Sequence, residues 1–174
     1  MNKIIYILIF IILLINFACT NPFAPGLSDY KSGDLTLGDQ RTREGVFQNF
    51  RYAYFFKDTL VYGKLLADDF VFVYRSDNDI IAPDKSWGRT EDMITTFGLF
   101  NAAQNLDLIW NDIILSSYNA DSTIQDITRS LSLTIVFSSD DIVRLHGWAI
   151  FTLIRKDTQS PWLIAKWRDE SNYF

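Results

Sequence analysis

Val143–Asp169, VRLHGWAIFTLIRKDTQSPWLIAKWRD, is the stretch whose reading decides the fold. Two long runs rich in β-branched and aromatic residues flank DTQSP at 157–161, a segment with good turn chemistry. Strand side chains alternate with period two, so His146, Trp148, Ile150, Thr152 and Ile154 share one face of the first run. Leu145, Gly147, Ala149, Phe151 and Leu153 share the other. Both faces are mostly apolar. The pattern therefore predicts a sheet covered on both sides, unlike an open antiparallel sheet with one wet face.

Working outward, four strands are expected near Asn105–Tyr118, Ile124–Phe137, Ile142–Lys156 and Trp162–Asp169, separated by NADS, SSDD and DTQSP. The second alternates cleanly. Ile127, Leu131, Leu133, Ile135 and Phe137 fall on one face, and Thr128, Ser130, Ser132 and Thr134 on the other. That hydroxyl face is either an exposed sheet surface or a subunit interface, because the apolar second face of the neighbouring strand needs a cover. Upstream, Thr42 is placed to cap a helix with Val46, Phe47, Phe50, Ala53, Tyr54 and Lys57 at helical spacing. Tyr52, Phe55 and Phe56 widen its apolar surface, which predicts burial on more than one side. Asp58 or Thr59 can cap a shorter helix with Leu60, Leu65 and Leu66. Phe70–Tyr74 follows as a strand, and Ser76–Gly88 as a polar loop ending near Trp87. Thr90 is expected to cap a third helix, with Glu91 and Asp92 in its first turn and Met93, Phe97 and Phe100 facing inward.

The N-terminus is different in kind. Lys3 precedes an unbroken apolar run, Ile4–Ile15, too short to span a bilayer comfortably and suited to a signal-peptide core. Ala18 then precedes Cys19, the only cysteine. This arrangement resembles a bacterial lipoprotein signal peptide, which implies cleavage before Cys19 and its lipidation. The alternatives are an ordinary secretory signal and an uncleaved anchor. Residues 20–40 carry Pro22, Pro25, Gly26, Gly33 and Gly38 without periodicity and are expected to be a tether. The expected organisation is thus a signal peptide over 1–18, a lipidated Cys19 and tether over 19–40, and one domain over 41–174.

Composition narrows the function classes. The net charge is −5, Lys3 lies in the signal-like segment, and no run of basic residues occurs, which argues against a nucleic-acid partner. One His and one Cys exclude a metal centre built from clusters of those residues, and no cofactor motif is present. A single Cys allows no disulfide framework, so the domain must stand on its core. Aromatics make up 16% of the chain, enough for a modest domain to bury a sizeable one.

Helix, helix, strand, helix and a four-stranded meander describe an α+β architecture. The aromatic first helix, the LLADDFVFVY step into a strand, the helix after a polar loop, and the closing HGWAIFTLIR…WLIAKWRDES hairpin resemble the NTF2-like superfamily. That resemblance implies a cone of about three N-terminal helices on a curved, mainly antiparallel sheet. It also implies a pocket at the cone's open end, and in many members a dimer through the sheet's outer face.

Chemistry is sparse. No phosphate loop, nucleophile elbow or HExxH motif occurs. His146 is the only imidazole and would serve as a base if the pocket reached it, or else make a structural hydrogen bond. Asp69 and Asp112 interrupt apolar stretches, and each is either a partly buried carboxylate or a solvated group at a strand irregularity. Members of the superfamily that act as isomerases or dehydratases use an Asp or His with Tyr donors, which implies Tyr54 as a donor here. Among the five tryptophans, Trp148 and Trp162 are expected in the core, and Trp87 and Trp110 at a pocket rim. Tyr54, Trp87, Trp110 and His146 are therefore the candidate ligand-contacting residues. The function expected is a binding or interaction module at a bacterial envelope. It would be membrane-anchored through its lipid, with a small apolar pocket or a protein partner, and a homodimer is an option. An isomerase- or dehydratase-type enzyme and a structural lipoprotein with a filled core are the alternatives.

Overall fold

A computed structural model describes residues 35–75 and 83–173. The signal-peptide and lipid-anchor readings, Cys19 included, lie outside the described residues. Helix α1 spans Arg43–Phe56, and the Thr42 side chain accepts the Gly45 N–H at 3.0 Å, the expected cap. The helix ends where Lys57 turns left-handed at φ 55°, and Asp58 caps α2 (Thr59–Leu65) by accepting the Leu60 and Val61 N–H groups. Strand β1 runs Leu66–Tyr74, β2 Lys85–Gly88, and α3 Arg89–Ala102. Four long strands follow: β3 Asn105–Tyr118, β4 Ile124–Val136, β5 Ile142–Ile154 and β6 Leu163–Tyr173. The α+β architecture, three helices on a curved and mainly antiparallel sheet, is as expected.

The sheet order is β2-β1-β6-β5-β4-β3. Strands β3 to β6 form the expected antiparallel meander, and β1 joins it in parallel beside β6. Alternation settles which face is inside. Leu145, Ala149, Phe151 and Leu153 of β5 are buried with Ile127, Leu131 and Ile135 of β4, and α1 lays Val46, Phe47, Phe50, Ala53 and Tyr54 against them. Gly147 pairs with Ser171 so tightly that a Cβ there would come within 2.5 Å of the Ser171 Cα.

Four expectations are corrected. The loop before Trp87 ends in a strand, because Lys85–Gly88 pairs with β1 and runs straight into α3. The third helix therefore starts two residues early. Its N-cap is Gly88, without a side-chain cap, and Thr90 lies inside the helix. Its buried stripe is Asp92, Thr96 and Phe100, whereas Phe97 is 56% exposed. Third, the even-numbered face of β5 is not covered by the helices, which all pack on the concave side. Trp148, expected in the core, is 51% exposed, whereas Trp162 is buried as expected. Fourth, the residues just before Arg41 are no free strand of chain. Gly38 and Asn49 exchange two hydrogen bonds, Gln48 donates to the Thr36 carbonyl, and Gln40 donates to Lys64 and Trp162 carbonyls and accepts the Trp162 N–H. This strap crosses α1 where Gly45 has no side chain, since a Cβ there would sit 2.0 Å from the Asp39 carbonyl oxygen.

Candidate functional site

The concave face encloses an aromatic cluster centred on Phe50 of α1. Its ring lies 5.0 Å from Tyr54, 5.4 Å from Tyr62, 5.4 Å from Trp110 and 5.3 Å from Trp167, centroid to centroid. Three of these four contacts are edge-to-face, the arrangement favoured by the ring quadrupoles. The spacing of α1 produces this. Residues 47, 50 and 54 lie on one helical stripe, so their rings reach down onto the sheet where β3, β5 and β6 bring up Trp110, Phe151 and Trp167.

At the β2–α3 edge sits a buried polar knot. Asp92, 3% exposed, accepts from the Tyr62 hydroxyl at 2.7 Å through Oδ2 and from Trp87 Nε1 at 2.9 Å through Oδ1. Burial lifts its carboxyl above the ordinary range, while the Trp87 and Tyr62 donors pull it back down. Tyr54 and Tyr62 are pushed well above the ordinary phenol value by burial, with Asp92 adding to the push on both. Both phenols therefore stay neutral, and the Tyr62 hydroxyl donates to Asp92. Trp87 also stacks on Phe72 at 4.6 Å. On the other side of the cluster the Arg129 guanidinium lies 4.7 Å above the Phe47 ring and donates through Nε to the Asn111 carbonyl.

Among the described residues, the indole N–H groups of Trp110 and Trp167 are buried and make no hydrogen bond, in contrast to Trp87. A buried donor left unpaired is costly, by about 1–3 kcal/mol, so such groups call for an acceptor.

Of the four residues singled out from the sequence, Tyr54, Trp87 and Trp110 lie on the concave side. His146 does not. It sits exposed on the outer face of β5, its Nδ1 3.1 Å from Ser132 Oγ, and shares no site with the other three. Asp69 is exposed where the β1–β6 register slips between Leu66 and Val71, and Asp112 is exposed at a register break between Trp110 and Ile113. Asp92, Tyr62 and Trp167 are the concave-side residues that sequence reasoning missed as site residues. No local signal marked Asp92, because a first-turn acid is accounted for by the helix dipole alone.

No protein-family model and no curated protein matches the chain. Solved structures do. A conserved protein from Planctomyces limnophilus DSM 3776 superposes with a TM-score of 0.63 at 14% identity, over 75% of this chain and 94% of that one. An NTF2-like protein of unknown function in nutrient uptake from Rhodospirillum rubrum ATCC 11170 superposes at 0.56 and 13% identity, covering 76% and 98%. A hexachlorocyclohexane dehydrochlorinase from Novosphingobium barchaimii LL02 superposes at 0.58 and 8% identity, covering 75% and 84%. At these identities the likeness is one of fold. Three helices closing the concave face of a six-stranded, mostly antiparallel sheet give this domain the NTF2-like α+β cone.

Proposed function

We propose that the chain is a lipid-anchored envelope protein whose cone binds a small, flat, largely apolar molecule carrying at least one acceptor oxygen. The observation that carries this reading is the pair of buried indole donors, Trp110 and Trp167, unpaired inside an aromatic cluster. An apolar wall with a few convergent donors is the usual composition of a small-molecule site. Tyr54, buried on the same side, is a third donor for such a ligand. Cys19 after the apolar run supports the anchor.

The geometry favours binding over catalysis. A general base needs a free lone pair near the substrate. Asp92 is the one buried carboxylate among the described residues, and each of its oxygens already accepts a fixed hydrogen bond. His146 faces the other way. One observation favours a second reading, a purely structural domain. The rings of Phe47, Trp110 and Phe151 touch at 5.1–5.6 Å, so the side chains themselves fill much of the cone.

Native mass spectrometry of the protein purified from its own host separates these readings. A co-purifying mass of a few hundred daltons that is lost in Trp110→Phe supports binding. A clean apo mass supports the filled core. For the anchor, Cys19→Ser is expected to move the chain from the membrane to the soluble fraction. A variant that stays membrane-bound would count against lipidation.

A further inference from the structure

The inward face of β4 carries a single charged residue. Gln125, Ile127, Leu131 and Ile135 are buried there, and Arg129 stands half-buried among them, opposite Ile113 of β3. Its guanidinium carbon lies 4.7 Å from the centre of the Phe47 ring and 6.0 Å from that of Trp110. The β3–β4 register slips on both sides of Ile113, and at this irregularity the Asn111 carbonyl accepts Arg129 Nε at 2.9 Å. That is the one side-chain hydrogen bond of Arg129 among the described residues, so its Nη groups have no acceptor there. Arg41, Arg43, Arg75 and Arg168 each pair with a carboxylate, whereas Arg129 makes no ion pair among the described residues.

A cation drawn out of water without a partnering anion is costly. Burial pulls the Arg129 guanidinium below the ordinary arginine range, Glu44 and Asp112 work against that pull, and Arg43 works with it. Glu44 is already held by Arg43. Asp112 is exposed. Beside Arg129 lies the second unmet donor, the buried indole N–H of Trp110, whose ring packs 5.1 Å from the same Phe47 ring. A planar guanidinium is shaped for the two oxygens of a carboxylate. One unpaired cation with two carboxylates nearby suits a monoanion better than a doubly charged phosphate.

We propose that the ligand of the cone is a flat aromatic carboxylate, its anionic group held by the Arg129 Nη groups with the Trp110 indole N–H as a second donor and its ring against the aromatic cluster. The inference rests on the cone being a binding site and names the chemistry that it selects. Arg129 is then the residue that sets specificity for an acid over a neutral molecule of the same shape.

The test is calorimetry on the full chain in mild detergent, with uptake of each probe by empty micelles subtracted. Benzoate, naphthoate and anthracene carboxylate are each compared with their own carboxamide, which keeps the shape and removes the charge. The wild type is expected to bind the best-fitting acid about tenfold or more tighter than its amide. Arg129→Met keeps an apolar stem and removes the charge, and should bring that ratio close to one. Arg129→Lys keeps the charge without the fork and should retain part of the preference. A merely structural role for Arg129 would weaken acid and amide alike and leave the ratio unchanged. A wild type that binds the amide as tightly as the acid, or an Arg129→Met variant that keeps the preference, would overturn the assignment and leave the cone as a site for neutral ligands. A wild type that binds none of the acids or amides would overturn it together with the reading of the cone as a binding site.

Discussion

Asp92 shows how one side chain organises its surroundings. Its carboxylate is the acceptor for two otherwise buried donors, so Asp92→Ala strands the Tyr62 hydroxyl and the Trp87 indole without partners. A loss of about 2–5 kcal/mol is expected, read as a shift in the urea midpoint, with Tyr62→Phe costing less because it removes one donor and leaves Asp92 its bond from Trp87. The pH dependence follows from the direction of the shift. The folded carboxyl holds its proton more tightly than the unfolded one, so stability falls as pH rises from about 4 through the raised folded value, and is level above it. Asp92→Asn is expected to flatten that segment of the profile. Because the Trp87 and Tyr62 donors hold the carboxyl down, Tyr62→Phe should raise it further in a carboxyl-detected NMR titration. A fall on that substitution would mean that the Tyr62 hydroxyl does not hold the carboxyl down. The sequence made Asp92 visible only as a first-turn acid, where the helix dipole alone explains it. Its burial depends on Tyr62 and Trp87 arriving from elements distant in sequence, which no local pattern encodes.

At the scale of the element, β5 carries the sharpest contrast. Phe151 is fully buried among Phe47, Trp110 and Trp167, whereas Trp148, three positions earlier, is half exposed on the opposite face. Phe151→Ala should cost about 3–5 kcal/mol, and Trp148→Ala in the monomer under about 1 kcal/mol, in equal denaturation experiments. Similar losses at both positions would mean the sheet is covered on both faces within one chain. Period-two alternation located β3, β4 and β5 to within two residues, because long β-branched and aromatic runs leave little choice, but stopped β6 four residues short of Tyr173. It could not say which face the helices take, since both faces are apolar. For α3 the error was one of phase. Met93, Phe97 and Phe100 make a plausible apolar stripe, yet Asp92, Thr96 and Phe100 are buried, because the knot with Tyr62 and Trp87 fixes the rotation of the helix. Strand β2 was missed for a related reason. Lys85–Gly88 has only Trp87 to mark it, and its pairing with β1 is tertiary.

For the whole molecule, the fold was legible because element order and turn chemistry agree along the chain, whereas the edge of the domain was not. Polar residues, Pro and Gly before Arg41 carry the composition of a linker, yet Thr36–Gln40 is hydrogen-bonded into the domain through groups that only the fold brings near. Asn49 is the measure of this. It is 6% exposed, and both its amide nitrogen and its carbonyl oxygen bond to the backbone of Gly38. Gln40 ties the same strap to the backbone of Lys64 and Trp162, which lie on α2 and at the entry to β6. Two truncations separate these views of the boundary. A chain beginning at Leu35 keeps every one of these bonds and should unfold at the same denaturant concentration as the full chain. A chain beginning at Arg41 loses the partners of Asn49, exposes the groove over Gly45, and removes the Asp39 carbonyl that caps the approach to α1 through the Thr42 N–H. With a buried amide left unpaired and several exchanged hydrogen bonds gone, a loss of about 2–4 kcal/mol is expected. Equal midpoints for the two truncations would place the strap outside the cooperative unit and return the domain boundary to Arg41. A large drop confined to the shorter chain would show that the strap is the first structural element of the cone, holding α1 to the entry of β6.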